Sequence, residues 1–115
     1  MVRADAELLA SAIENVVRNA LRYSPPGSAV EITLQAHPAE VRLAVRDHGP
    51  GVPEADVQRI FEPFFRVAES RSRESGGDGI GLAITARVLA AHGGKTRAQN
   101  APGDGGLQVE LSLPL

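Results

Sequence analysis

Cysteine is absent from the 115 residues. That excludes disulfides and thiolate metal sites and fits a reducing compartment. No apolar run approaches the roughly 18 residues that a membrane span takes, and no signal peptide is legible. One-sided charge is lacking too: 12 Lys and Arg stand against 14 Asp and Glu, a formal net charge of −2. Such a chain has no global field to draw it onto nucleic acid or an anionic membrane, so neither is expected as a partner. Aromatic residues make up only 3%, with three Phe, one Tyr and no Trp, so where they cluster is informative.

What is present suits a single domain over residues 1–115. Hydrophobic residues reach 43%, enough for one core at this length. "MVRADAELL" reads as a start placed on a fragment, and no internal repeat or low-complexity tract marks a second unit.

Residues 5–23 carry Leu8, Leu9, Ala12, Ile13, Val16, Val17, Ala20 and Leu21 at helical spacing, a broad apolar face. "SPPGS" ends that helix, because Ser24 precedes proline. Residues 29–36 alternate through Val30, Ile32 and Leu34, and residues 40–46 through Val41, Leu43 and Val45; the intervening "HPA" predicts a hairpin. "PEADVQRIF" predicts a short helix with Pro53 near its start. Residues 66–78 read as irregular. Residues 80–92 predict a second long helix closed by Gly93 and Gly94. A last hairpin spans 95–100 and 107–113, with Leu107, Val109, Leu111 and Leu113 facing inward. Helices and hairpins in this order predict an α+β, two-layer α/β sandwich with helices on one face of the sheet.

Four places carry candidate chemistry. Asn15 and Asn19 are spaced i, i+4 and project about 40° apart, along one flank of the apolar face. Asparagine is a poor helix former, and an amide oxygen is a hard ligand suited to Mg²⁺; exposed amides would be the plain alternative. The neighbouring Glu14 reads as a solvent-side partner of Arg18. Asp47 ends a strand and opens "DHGPG". It is either the cap of a strand-ending turn or an acceptor for a ligand amine, with Gly49 and Gly51 letting a flat ring approach the backbone. Gly76, Gly77, Gly79 and Gly81 open the last helix, where free amides form an anion site. They match neither the dinucleotide fingerprint nor the P-loop. Between the two glycine clusters, about 25 residues are long for a loop in a small domain, and loops of that length are often lids. All three phenylalanines lie there, in "FEPFFR". Phe61, Phe64 and Phe65 either anchor the segment or form a docking patch, and Arg59, Arg66, Arg71 or Arg73 could reach phosphate.

Together these pieces resemble the catalytic, ATP-binding domain of bacterial two-component sensor histidine kinases, of the gyrase-type (Bergerat) nucleotide fold. "ENVVRNALRYS" looks like the N box of that family, "DHGPGVP" its G1 box, "IFEPFFRV" its F box and "GGDGIGLAI" its G2 box. The lid wording "RESGGDGIGLAI" is similar to that of envelope-stress sensor kinases. The resemblance covers nearly the whole chain and implies a mixed, mostly antiparallel sheet with an ATP lid at about 52–78. It implies ATP and Mg²⁺ as ligands. Asn19 would ligate the metal with Asn15 beside it, and Arg22 would face the phosphates, so these three form the expected catalytic set. Tyr23 would line the nucleotide pocket and Asp47 would accept from the adenine amine between Gly49 and Gly51. Gly77, Gly79 and Gly81, with Ile80 and Leu82, would form the phosphate-side hinge. Asp78 stands where many members have Thr or Ser, a departure that adds negative charge near phosphate.

Related ATPases of this fold place a water-activating glutamate four residues before the metal asparagine. Asn15 stands there, and an amide is a poor general base, so fast hydrolysis is not expected. The resemblance also implies a histidine-bearing dimerisation domain as partner. His37, His48 and His92 lack the context of a phosphoacceptor, so that domain is expected to be absent from this chain. A response regulator would act downstream, and the fragment alone is expected to be monomeric. The domain would be cytoplasmic, within an inner-membrane-anchored sensor kinase. An anti-sigma-factor serine kinase of the same fold and an inert ATP-binding module are the alternatives.

Overall fold

The computed structural model describes residues 6–63, 81–101 and 105–114. The expectations placed on Phe64, Phe65, residues 66–78, Gly77, Asp78, Gly79 and Ile80 therefore lie outside the described residues.

Helix α1 spans Ala6–Tyr23. Its last turn closes with Ser24 N–H donating to Ala20 O at 3.1 Å, and Pro25 has no donor with which to continue. Strands β1 (Glu31–Ala36) and β2 (Glu40–Arg46) form the first hairpin, with Leu34 opposite Leu43 and Ile32 opposite Val45. A 3-10 helix covers Glu54–Phe61. Helix α2 spans Gly81–Ala91 and ends with Gly94 N–H on Leu89 O at 2.7 Å, while Gly93 sits at φ +75°. That is the left-handed glycine terminus anticipated for "HGG". Strands β3 (Lys95–Asn100) and β4 (Leu107–Pro114) form the second hairpin.

The strand order is β1-β2-β4-β3. All three pairings are antiparallel, so none of the described strands supplies the parallel pair that a mixed sheet implies. Alternation along the strands separates the two faces. Val45, Ala98, Leu107, Val109 and Leu111 are buried towards the helices and meet Ala12, Val16, Ala20, Leu82 and Leu89. The other face carries Arg42, Arg97, Gln99, Gln108 and Glu110 around a shallow polar depression.

Three expectations change in detail. The apolar face of α1 is narrower than the periodicity suggests, because only Ala12, Val16 and Ala20 are buried. Leu21 projects about 140° from Val16 and is 61% exposed. On β1, Ile32 and Leu34 are exposed, Leu34 at 69%. β1 is the edge strand, and the described helices cover the β2, β4 and β3 side instead. The segment expected as a lid from about 52 begins as a fixed element: Val57 and Ile60, three apart on one side of the 3-10 helix, are buried in the core. Phe61 packs half-buried against the same cluster, so it anchors the segment to the core.

Candidate functional site

The site grows from the end of β2. The ladder between β2 and β4 runs one residue past the strand, with Asp47 N–H donating to Leu107 O at 3.0 Å. That places the Asp47 side chain inside, at 4% exposure. A carboxylate buried that deeply needs donors. Asp47 Oδ1 accepts two: the Leu107 N–H at 3.0 Å and the Gly49 N–H at 2.9 Å. Its second oxygen accepts no hydrogen bond from any described residue.

Close backbone packing holds this carboxylate in place. A Cβ on Gly49 would lie 2.3 Å from Tyr23 O, at the end of α1. A Cβ on Gly106 would lie 2.1 Å from Asp47 O, and Gly106 sits at φ +98°, where a side chain is strained in any case. The end of α1, the loop after β2 and the β3–β4 turn thus stack in van der Waals contact. His48 adds a brace on the other side. Its N–H reaches Ser24 Oγ at 3.5 Å, and its Nε2 pairs with Glu31 Oε2 at 2.6 Å. Asn100, at the end of β3, reaches across to the backbone of Val52 and to Glu54.

The second half of the site is the flank of α1. Asn15 and Asn19 are half-buried there, as their 40° separation implied. Thr85 Oγ1, fully buried in α2, donates to Ala12 O at 2.9 Å and sets the register of the two helices. In that register Gly81, the first residue of α2, comes beside Asn15: a Cβ on Gly81 would lie 3.7 Å from Asn15 Oδ1. The N-terminal amides of α2, which carry partial positive charge, therefore open beside the asparagine flank. Arg22 is exposed in the last turn of α1, Tyr23 is half-buried, and Glu14 pairs with Arg18 at 3.0 Å on the solvent side. Leu82 faces the core at 9% exposure, which gives its side chain a packing role.

Asp47, Gly49, Gly51 and Tyr23 thus meet at one end of the domain, and Asn15 and Gly81 meet at the α1–α2 contact. Sequence reasoning passed over Asn100, Thr85, Gly106 and the His48–Glu31 pair. "QNAPGDGG" carried a turn signal, which marked Gly106 as a turn residue without showing that it lies on Asp47. Asn100 and Thr85 sit in ordinary strand and helix patterns, and no local signal marks a contact 48 or 73 residues away.

The family model for histidine kinase-, DNA gyrase B- and HSP90-like ATPases matches residues 4–115. The chain belongs to this ATPase family. Its relatives place it among the catalytic domains of sensor histidine kinases. It is 44% identical over 113 residues to the sensor-like histidine kinase SenX3 of Mycolicibacterium smegmatis, a match that covers 98% of this chain and 29% of that protein. It is 45% identical over 107 residues to the sensor histidine kinase CpxA of Escherichia coli, covering 93% of this chain and 23% of that one. The domain therefore spans less than a third of either kinase. Its fold matches that of the solved mycobacterial sensor histidine kinase MprB with a TM-score of 0.90 at 39% identity, over 98% of this chain and 76% of that one.

Proposed function

We propose that this ATPase domain binds ATP with Mg²⁺ and donates the γ-phosphoryl group to a histidine on a separate dimerisation domain of its parent kinase. From there the group would pass to a response regulator. The observation that carries the nucleotide assignment is Asp47: buried, with one oxygen held by two backbone amides and the other accepting from no described residue. A carboxylate oxygen in that state suits the exocyclic amine of adenine, and Gly49 and Gly51 let the loop beside it pack closely on Tyr23 and Asn100. Tyr23 lines the same end.

Among the described residues no three His, Asp or Glu side chains cluster where they could hold a metal. The half-buried amides of Asn15 and Asn19 are the oxygen donors on the pocket flank. An ion held by one or two protein ligands plus substrate phosphates matches the habit of Mg²⁺. Asn19 would be the ligand and Asn15 its neighbour; the bound ion would neutralise phosphate charge. Arg22, Gly81 and the residues before it would face the phosphates. Asn15 has no basic atom with which to activate water, so the γ-phosphoryl group would be kept for another acceptor. His48 is engaged by Glu31, and His92 Nδ1 lies 2.7 Å from Val88 O. Both have structural partners, and His37 Nε2 is buried, which supports an acceptor on another domain. Phe64 and Phe65 would contact that domain. In the cell the domain would work on the cytoplasmic side of an inner-membrane-anchored kinase. No helix among the described residues is long and apolar enough to cross a membrane.

Asp47→Ala tests the assignment. Loss of a hydrogen bond to a charged group costs on the order of 1.5–3 kcal/mol, so calorimetric titration should show ATP binding at least roughly tenfold weaker with the fold retained. Unchanged affinity would remove Asp47 from the adenine site.

A further inference from the structure

We infer that Asn100 is a positioning residue for the nucleotide: from the end of β3 it fixes the peptide of the loop that forms the wall beside Asp47. This rests on the reading of Asp47, Gly49 and Gly51 as the adenine slot. The loop after β2 leaves the sheet at Asp47 and, among the described residues, has no ladder partner at Gly51 and Val52. Asn100 supplies one. Its Oδ1 accepts the Val52 N–H at 2.8 Å, and its Nδ2 donates to Val52 O at 2.6 Å, so a single amide side chain satisfies both polar groups of one residue, 48 positions away. The same Nδ2 also donates to Glu54 Oε1 at 2.9 Å, at the start of the 3-10 helix.

The contact is tight as well as bonded. A Cβ on Gly51, which sits at φ +77°, would lie 2.7 Å from Asn100 Oδ1. Asn100 thus lies directly behind the Gly51 backbone. No other residue type makes the same set of bonds at that length. Aspartate keeps the acceptor for Val52 N–H but places an oxygen against Val52 O and the Glu54 carboxylate. Serine is too short to reach both groups, and glutamine is one methylene too long. A group that holds the loop in its binding-competent form raises apparent affinity by the fraction of molecules it keeps in that form.

Mg-ADP binding by calorimetry, with thermal melting of the free protein, tests this on four variants of the 115-residue chain. Asn100→Ala and Asn100→Asp should bind ADP roughly tenfold more weakly when measured well below their melting midpoints, as expected if about one molecule in ten keeps the competent loop. Glu54→Ala keeps both Val52 bonds and should bind like the parent chain. Asn100→Asp keeps the side-chain shape and the Val52 N–H bond, so it gives the answer if the alanine variant does not fold. Unchanged ADP affinity in a folded Asn100 variant, with only the melting midpoint lowered, would reduce Asn100 to a structural clamp and overturn the inference. Equal weakening by Glu54→Ala would overturn it too, since the effect would then not run through Val52. Asp47→Ala separates the two levels. If it binds ADP normally, the adenine slot itself is misplaced; if it fails while the Asn100 variants bind normally, the slot stands and the inference falls.

Discussion

Asp47 is buried because the β2–β4 ladder extends to it, and it tolerates burial because Leu107 and Gly49 each give it an N–H. Gly106 makes that geometry possible, since any side chain there would run into Asp47 O. Gly106→Ala should therefore destabilise the domain by about 1–3 kcal/mol, the scale of a non-glycine residue forced into a strained conformation. Because the push falls on the Asp47 peptide, ADP binding should weaken as well. Urea denaturation and calorimetry read the two effects. A variant with parental stability and parental affinity would mean that the β3–β4 turn relaxes freely. At this scale the sequence was half legible. Asp47 announced itself as a carboxylate followed by glycines, and Asn15 and Asn19 as amides on an apolar flank. Gly106 and Asn100 looked like parts of an ordinary hairpin, because what they touch lies far away in the chain.

The two long helices are held in register by Thr85, fully buried, with its hydroxyl on Ala12 O. Small Ala12 lets the helices approach where Thr85 sits, and in that register Gly81 comes beside Asn15. Thr85→Val keeps the volume and removes the bond. The expected loss is about 1 kcal/mol, a fall in melting midpoint of about 4 °C, with further weakening of ATP binding if the helices slide. A midpoint unchanged from that of the parent chain would show that helix packing alone sets the register. Elements themselves were legible because punctuation marks them: Ser24–Pro25 stops α1, and Gly93–Gly94 stops α2. Alternation placed β2 and β4 inward correctly. It failed for β1, where Ile32 and Leu34 alternate like core residues yet lie exposed on an edge strand. Periodicity reports which residues share a face; it does not report whether another layer covers that face.

At the scale of the molecule, one end of the two-layer sandwich gathers the loop after β2, the end of α1 and the β3–β4 turn, while the asparagine flank of α1 meets the start of α2. The opposite face of the sheet is polar and built from paired, solvated side chains such as Arg42 and Glu40. The order of four weak motifs made the family and its fold class readable in advance. Contacts between those elements were not readable, because they depend on strand order and helix register. On the proposed function, the domain would give its γ-phosphoryl group to a histidine elsewhere. Phosphoryl transfer requires donor and acceptor to be aligned, so the most direct measurement supplies both. The chain is incubated with γ-labelled ATP and Mg²⁺, with and without the histidine-bearing hairpin domain of its parent kinase. No label is expected on the chain alone, and acid-labile, base-stable label is expected on the added domain, lost with Asn19→Ala. Stable label on the chain itself, or acid-stable label on a serine of a partner, would contradict the proposed function.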